Sequence, residues 1–152
     1  MFETGNLLLF KPFIFKNGAI PKNKFMMVLG HDENGHMMLA SLPTSKDHVP
    51  SDMDIKSGCI DLPDRQVNVF VFQAGENITT LQNGLSPFSF DVNTFIYGSD
   101  LDTYPTATFQ SQIKDKITEI VLIGKISDTI FNSLKECLKN SKMVKNKFKR
   151  IL

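Results

Sequence analysis

Residues 25–42 constrain the fold more than any other stretch. Two apolar runs, 25–29 and 37–42, flank Asp32-Glu33-Asn34-Gly35, and Asn-Gly supplies the positive φ angles that a tight reversal needs. The segment therefore reads as a β-hairpin. Its second strand delivers Ser41-Leu42-Pro43-Thr44-Ser45-Lys46-Asp47-His48 at its end, where side chains project from a rigid support.

Similar short runs recur. Residues 6–10 and 13–15 form a strand interrupted at Lys11-Pro12, since proline cannot donate to a ladder. Lys16 to Lys24 holds three lysines with Asn-Gly and Pro, a composition suited to an exposed connection. Residues 49–64 are rich in Asp, Ser and Pro around Ile55, Cys59, Ile60 and Leu62, predicting a loop with one short strand. Residues 67–72, 88–92, 94–97 and 117–123 are β-branched or aromatic and read as strands. Turns are predicted at residues 75–77, at Asn83-Gly84 and at residues 98–100.

Only the carboxyl end has helical periodicity: Ile130, Leu134, Cys137, Leu138 and Ser141 share one face, with Ser127 as amino-terminal cap. A helix is predicted over 128–141, followed by a basic tail over 142–152. Short strands closed by one helix predict a mainly β domain, a small SH3-like antiparallel barrel with a C-terminal α-helix.

Composition sets outer bounds. A chain of 152 residues, 41% hydrophobic and 22% charged, suits one folded domain over its whole length. The start, Met1-Phe2-Glu3-Thr4-Gly5, lacks a signal-peptide pattern, and the apolar segment at 6–15 is too short and too broken to cross a bilayer. Two cysteines, Cys59 and Cys137, are too few for a disulfide framework, so both are expected to be reduced and buried, and the protein cytoplasmic. Charge is uneven. Residues 125–152 hold eight basic and two acidic residues, a net +6, against nine basic and fourteen acidic before them, a net −5.

The order of elements resembles the MazF/PemK group of endoribonuclease toxins, with the ToxN/AbiQ branch. The resemblance rests on Gly5-Asn6 opening the first strand, Lys24-Phe25-Met26-Met27-Val28 after a flexible loop, Leu42-Pro43-Thr44-Ser45, and Ile123-Gly124-Lys125-Ile126-Ser127 before the helix. It implies metal-independent cleavage of single-stranded RNA, no cofactor, a protein or RNA antitoxin as partner, and a homodimer. The family's catalytic arginine and threonine fall on Lys24 and Thr44. Lysine there is a departure, because an ammonium lacks the bidentate fork with which guanidinium holds a phosphate. Lys46, after Thr44-Ser45 as in the ToxN-like branch, offers a substitute cation. Thr44, Ser45, Lys46 and His48 can then divide activation of a 2′-hydroxyl, protonation of the leaving oxygen and neutralisation of phosphorane charge, while Lys16 and Lys22 bind the RNA.

Each motif has a plainer reading beside the functional one. Residues 41–48 can be a strand-ending turn whose hydroxyls bond nearby backbone. Asp100 and Asp102 can pair as acid and base, or be solvated loop residues, which the sequence favours. His31 and His36 flank a turn and read as exposed residues rather than metal ligands. Phe70, Phe72, Phe88, Phe90 and Phe95 read as core rather than RNA-stacking platforms. The basic end reads as a solvated helix face with a frayed terminus, or as a grip on nucleic acid. The alternative function is a non-catalytic barrel adaptor that binds protein or nucleic acid through that end.

Overall fold

A computed structural model describes residues 1–80 and 86–152; the turn predicted at Asn83-Gly84 lies outside them. The described chain is mainly β, in two antiparallel sheets with three α-helices. Strands β1 (Asn6–Phe13), β2 (Lys22–His31), β3 (His36–Ser41), β7 (Leu101–Pro105) and β8 (Glu119–Lys125) form a five-stranded sheet in the order β7-β3-β2-β1-β8. Strands β4 (Gly58–Leu62), β5 (Val67–Phe72) and β6 (Thr94–Tyr97) form a three-stranded sheet in the order β4-β5-β6.

The β2–β3 hairpin forms around its predicted turn. Gly35 takes φ +76°, and the Asp32 carboxylate accepts from the amides of Asn34 and His36 at 2.9 Å each, an Asx-type closure. Pro12 falls at a register shift in β1 between Phe10 and Phe13, where a missing donor costs least. The strand continues through it.

Both faces of both sheets are covered. One face of the large sheet, with Leu7, Met27, Leu29, Met38 and Ala40, shares a core with Phe70, Phe72 and Ile96 of the small sheet and with Phe131, Leu134 and Leu138 of α2 (Asp128–Lys139). The opposite face, with Leu8, Phe10, Met26, Val28 and Leu39, is closed by Phe109 of α1 (Thr106–Lys114). The outer face of the small sheet packs Val69, Val71, Phe95 and Tyr97 against Val49, Ile55 and Leu62. Burial on two sides removes polar alternation, so β5 is buried at every position. Ser127 caps α2, its hydroxyl accepting from the Ile130 amide at 3.4 Å.

Several expectations need correction. Helix is not confined to the carboxyl end: α1 lies between β7 and β8, its sequence hidden because it buries a single residue, Phe109. Residues 101–105, expected as loop, form β7, and Lys22 to Lys24 lie in β2 rather than in the basic loop. Residues 88–92 are not a strand of either sheet. They run beside residues 75–78, with Gly75 N–H donating to the Phe90 carbonyl and Ile78 N–H to the Phe88 carbonyl, both at 2.9 Å. The helix ends at Lys139, and the basic tail is not frayed. It forms a third helix, α3 (Asn146–Lys149), and seats Val144 and Phe148 in the main core.

The cysteines are not free. Cys59 and Cys137 form a disulfide with 5.6 Å between Cα atoms, closing 78 residues of sequence. Cys137 is buried on the inner face of α2, whereas Cys59 is exposed on β4, contrary to the expected inward packing. Packing of α2 against β4 places the two sulfurs together. In the chain-entropy picture such a closure limits the unfolded state by about 4–5 kcal/mol.

Candidate functional site

Lys24 is carried on β2 opposite Phe10 of β1. Its neighbour two residues on, Met26, belongs to the α1-covered face, and the pleat puts Lys24 on that face as well. Pairing of β3 with β7 sets Leu39 opposite Asp102 and Met37 opposite Tyr104, which brings the end of β7 alongside. The result is a cleft of about 190 Å³ lined by Phe13, Phe15, Lys24, Ser41, Asp100 and Tyr104, among others.

Lys24 and Asp102 are part-buried in this cleft, while Asp100, just before β7, is exposed. Burial, with help from the nearby Lys22 charge, pulls the Lys24 ammonium below its ordinary value against the opposing pull of Asp100. Burial pushes the Asp100 carboxyl up, and Asp102 adds to this, while Lys24 and His48 favour its charged form. Tyr104 is pushed up to about 12, chiefly by burial and then by the two carboxylates. An acid and a base whose protonation is drawn toward neutrality in one cleft is the condition that proton transfer favours.

Aromatic and cationic groups frame it. Lys16 reaches across the rim, its Nζ 3.1 Å from Asp102 Oδ2 and 2.6 Å from the Thr103 carbonyl oxygen. It also lies 4.1 Å from the centre of the Tyr104 ring. Lys22 and Lys24 each place Nζ 5.9 Å from the Phe15 ring centre. This is an outer-range cation–π geometry.

The stretch 41–48 divides. Its backbone is pinned to the small sheet: Phe95 N–H donates to the Pro43 carbonyl at 2.9 Å, and Tyr97 O–H donates to the Ser45 carbonyl at 2.6 Å. Lys46 closes a turn by accepting from the Val49 amide at 3.1 Å. The His48 ring meets Tyr97 edge-on at 5.1 Å and acts electrostatically on Asp100. Lys24 and His48 thus bear on one carboxylate. Thr44, Ser45 and Lys46 are exposed, and the two hydroxyls make no hydrogen bond among the described residues.

Asp100 carries more of the site than the sequence reading allowed. A solvated loop is the expectation for Asp100 and Asp102, and it holds for Asp100, which is exposed just before β7, although its carboxyl feels the Lys24 charge; Asp102 instead is a part-buried strand residue paired with Lys16. The signal was present only as the sequence of an unrecognised strand, LDTYP. The expected exposed turn histidines hold second places: His36 lies 3.4 Å from Asp32, and His31 is 3.4 Å from the Thr4 hydroxyl. Phe70, Phe72, Phe90 and Phe95 are core.

No family model, curated protein or solved structure matches this chain.

Proposed function

We propose that the protein binds single-stranded RNA in the Lys24–Asp100 cleft and cleaves it without a metal, as a toxin of MazF/PemK type. In this reading the two sheets wrapped on one core are the walls of a curled SH3-like barrel. One observation carries it: a part-buried ammonium, Lys24, and the Asp100 carboxylate share a cleft beside the Phe15 and Tyr104 rings, with Lys16 and Lys22 at the edge.

The chemistry follows from those groups. Asp100 takes the proton from a ribose 2′-hydroxyl, whose oxygen attacks the adjacent phosphorus. Lys24 balances charge on the phosphorane and gives a proton to the departing 5′-oxygen, leaving a 2′,3′-cyclic phosphate and a free 5′-hydroxyl. A base can rest on Phe15 or Tyr104, a contact that tolerates sequence. The His48 charge favours the ionised form of Asp100 after that of Lys24, and the Thr44, Ser45 and Lys46 side chains meet the backbone of the next nucleotide. An antitoxin that fills the cleft, and a second copy of the chain, are the partners consistent with this reading.

The test is incubation of purified protein with mixed-sequence single-stranded RNA in excess chelator. Cyclic-phosphate ends should accumulate, and Lys24→Met should lower the rate by about 10²- to 10⁴-fold, the usual contribution of a positioned proton donor, with circular dichroism unchanged. Intact RNA across varied sequences, or full cleavage by Lys24→Met, removes the proposal.

A further inference from the structure

A second surface feature is independent of the cleft. The Cys59–Cys137 disulfide opens into a groove of about 470 Å³ between β4 and α2, lined by Gly58, Asp61, Ser133, Glu136 and Asn140 as well as the two cysteines. The two cysteines differ in exposure. Cys59 is exposed, while Cys137 is only 5% exposed. Behind Cys137, the Asn68 amide nitrogen lies 3.5 Å from its Sγ and 3.2 Å from its carbonyl oxygen. Asn68 is itself 5% exposed.

We propose that Cys59 is a thiol-exchange and S-thiolation site, selective for cationic low-molecular-weight thiols. A thiolate enters the groove and attacks Cys59 Sγ in line with the S–S bond. The new bond joins the incoming sulfur to Cys59, the old bond breaks, and its electron pair leaves on Cys137, where Asn68 N–H donates to the departing thiolate before solvent protonates it. A second thiolate attacking the incoming sulfur releases a small-molecule disulfide and the Cys59 thiolate. Overall the protein disulfide gains two electrons and two thiols lose them.

Direction of attack follows from access, because both cysteines line the groove but Cys59 is exposed and Cys137 is buried. Selectivity follows from charge. Among the groove's lining residues the only charged side chains are Asp61 and Glu136, so a thiol with a second negative charge is repelled and one with an ammonium is attracted. The core need not open, since α2 stays anchored by Phe131, Leu134 and Leu138.

The folded full-length protein is incubated with cysteamine, 2-mercaptoethanol or 2-mercaptoethanesulfonate at matched thiolate concentration, quenched in acid and mapped by peptide mass. The mixed disulfide should sit on Cys59. Cysteamine should react about tenfold faster than 2-mercaptoethanol and about a hundredfold faster than the sulfonate, the effect of two carboxylates some 6 Å away in water. The spread should shrink at about 0.5 M salt and in Glu136→Gln. Adduct on Cys137, no exchange until denaturant is added, or rates indifferent to thiol charge would each overturn the proposal.

Discussion

The cleft around Lys24 and the basic carboxyl end invite comparison, because both are lysine-rich and both line a cavity, of about 190 and 370 Å³, yet their cations are held differently. At the end of the chain, Lys147 and Arg150 are exposed and Lys149 is part-buried, on a segment held by apolar groups. Phe148 is 5% exposed and Val144 3%, and Ile151 presses so close to β2 that a Cβ on Gly30 would lie 2.8 Å from its Cγ2 and 2.9 Å from its carbonyl oxygen. In the cleft the reverse holds. Lys24 is part-buried, feels Asp100, and has its proton affinity lowered. Density of positive charge therefore does not distinguish a site from a solvated face; desolvation beside an opposite charge does.

Breaking the apolar anchor should show the largest effect. Phe148→Ala is expected to cost about 3–5 kcal/mol in urea unfolding, the range for truncating a buried phenylalanine. A loss under 1 kcal/mol would mean that the tail is not part of the core. Gly30→Ala should cost less, about 1–3 kcal/mol, since the added methyl meets backbone of Ile151 that has little room to retreat. Equal stability to the parent would show the carboxyl end detached from β2 in solution.

How much of this was legible depended on whether the signal was local. The β2–β3 reversal could be read because Asp32 and Gly35 act within five residues. The strand β7 could not: LDTYP has one fully buried residue, and its place is set by pairing with β3, more than sixty residues earlier. That pairing is also what brings Asp100 and Asp102 to Lys24, so the lysine was a candidate from the motif order while its carboxylate partner read as loop. Residues 88–92 show the opposite failure. Their aromatic composition is that of a strand, and they do make ladder-like bonds, but to residues 75–78 outside either sheet. The disulfide had no local mark, since its halves are 78 residues apart.

A smaller effect tests the cleft through pH. Asp100 has an ordinary value of 3.8 and a raised one in the folded protein. Between those two values the folded state binds more protons than the unfolded one, so stability should fall as pH rises through that window. Lys24 acts at the other limit. Its value is lowered from 10.5, so the unfolded state holds more protons above the folded value, and stability should rise with pH there. Asp100→Asn should flatten the acid segment of a urea-midpoint profile, and Lys24→Met the alkaline one. If either segment is unchanged by its substitution, that group does not titrate against the cleft.

The smallest effect is expected at the exposed tail charges, and it divides the two regions most sharply. Lys147→Ala and Arg150→Ala remove charge from a surface, where substitutions usually stay within about 0.5 kcal/mol. Each also leaves Phe148 and Ile151 in place, so the anchor is untouched. If the tail nevertheless grips RNA, each neutralised phosphate adds about 0.7 to the slope of log affinity against log salt for a single strand, and both substitutions together should lower that slope by more than one. If RNA lies only in the cleft, the slope should keep its value in the tail variants and fall in Lys22→Ala. Salt titration of a fluorescent single strand separates these outcomes even though neither variant changes stability, because counterion release counts contacts and is blind to how the chain folds.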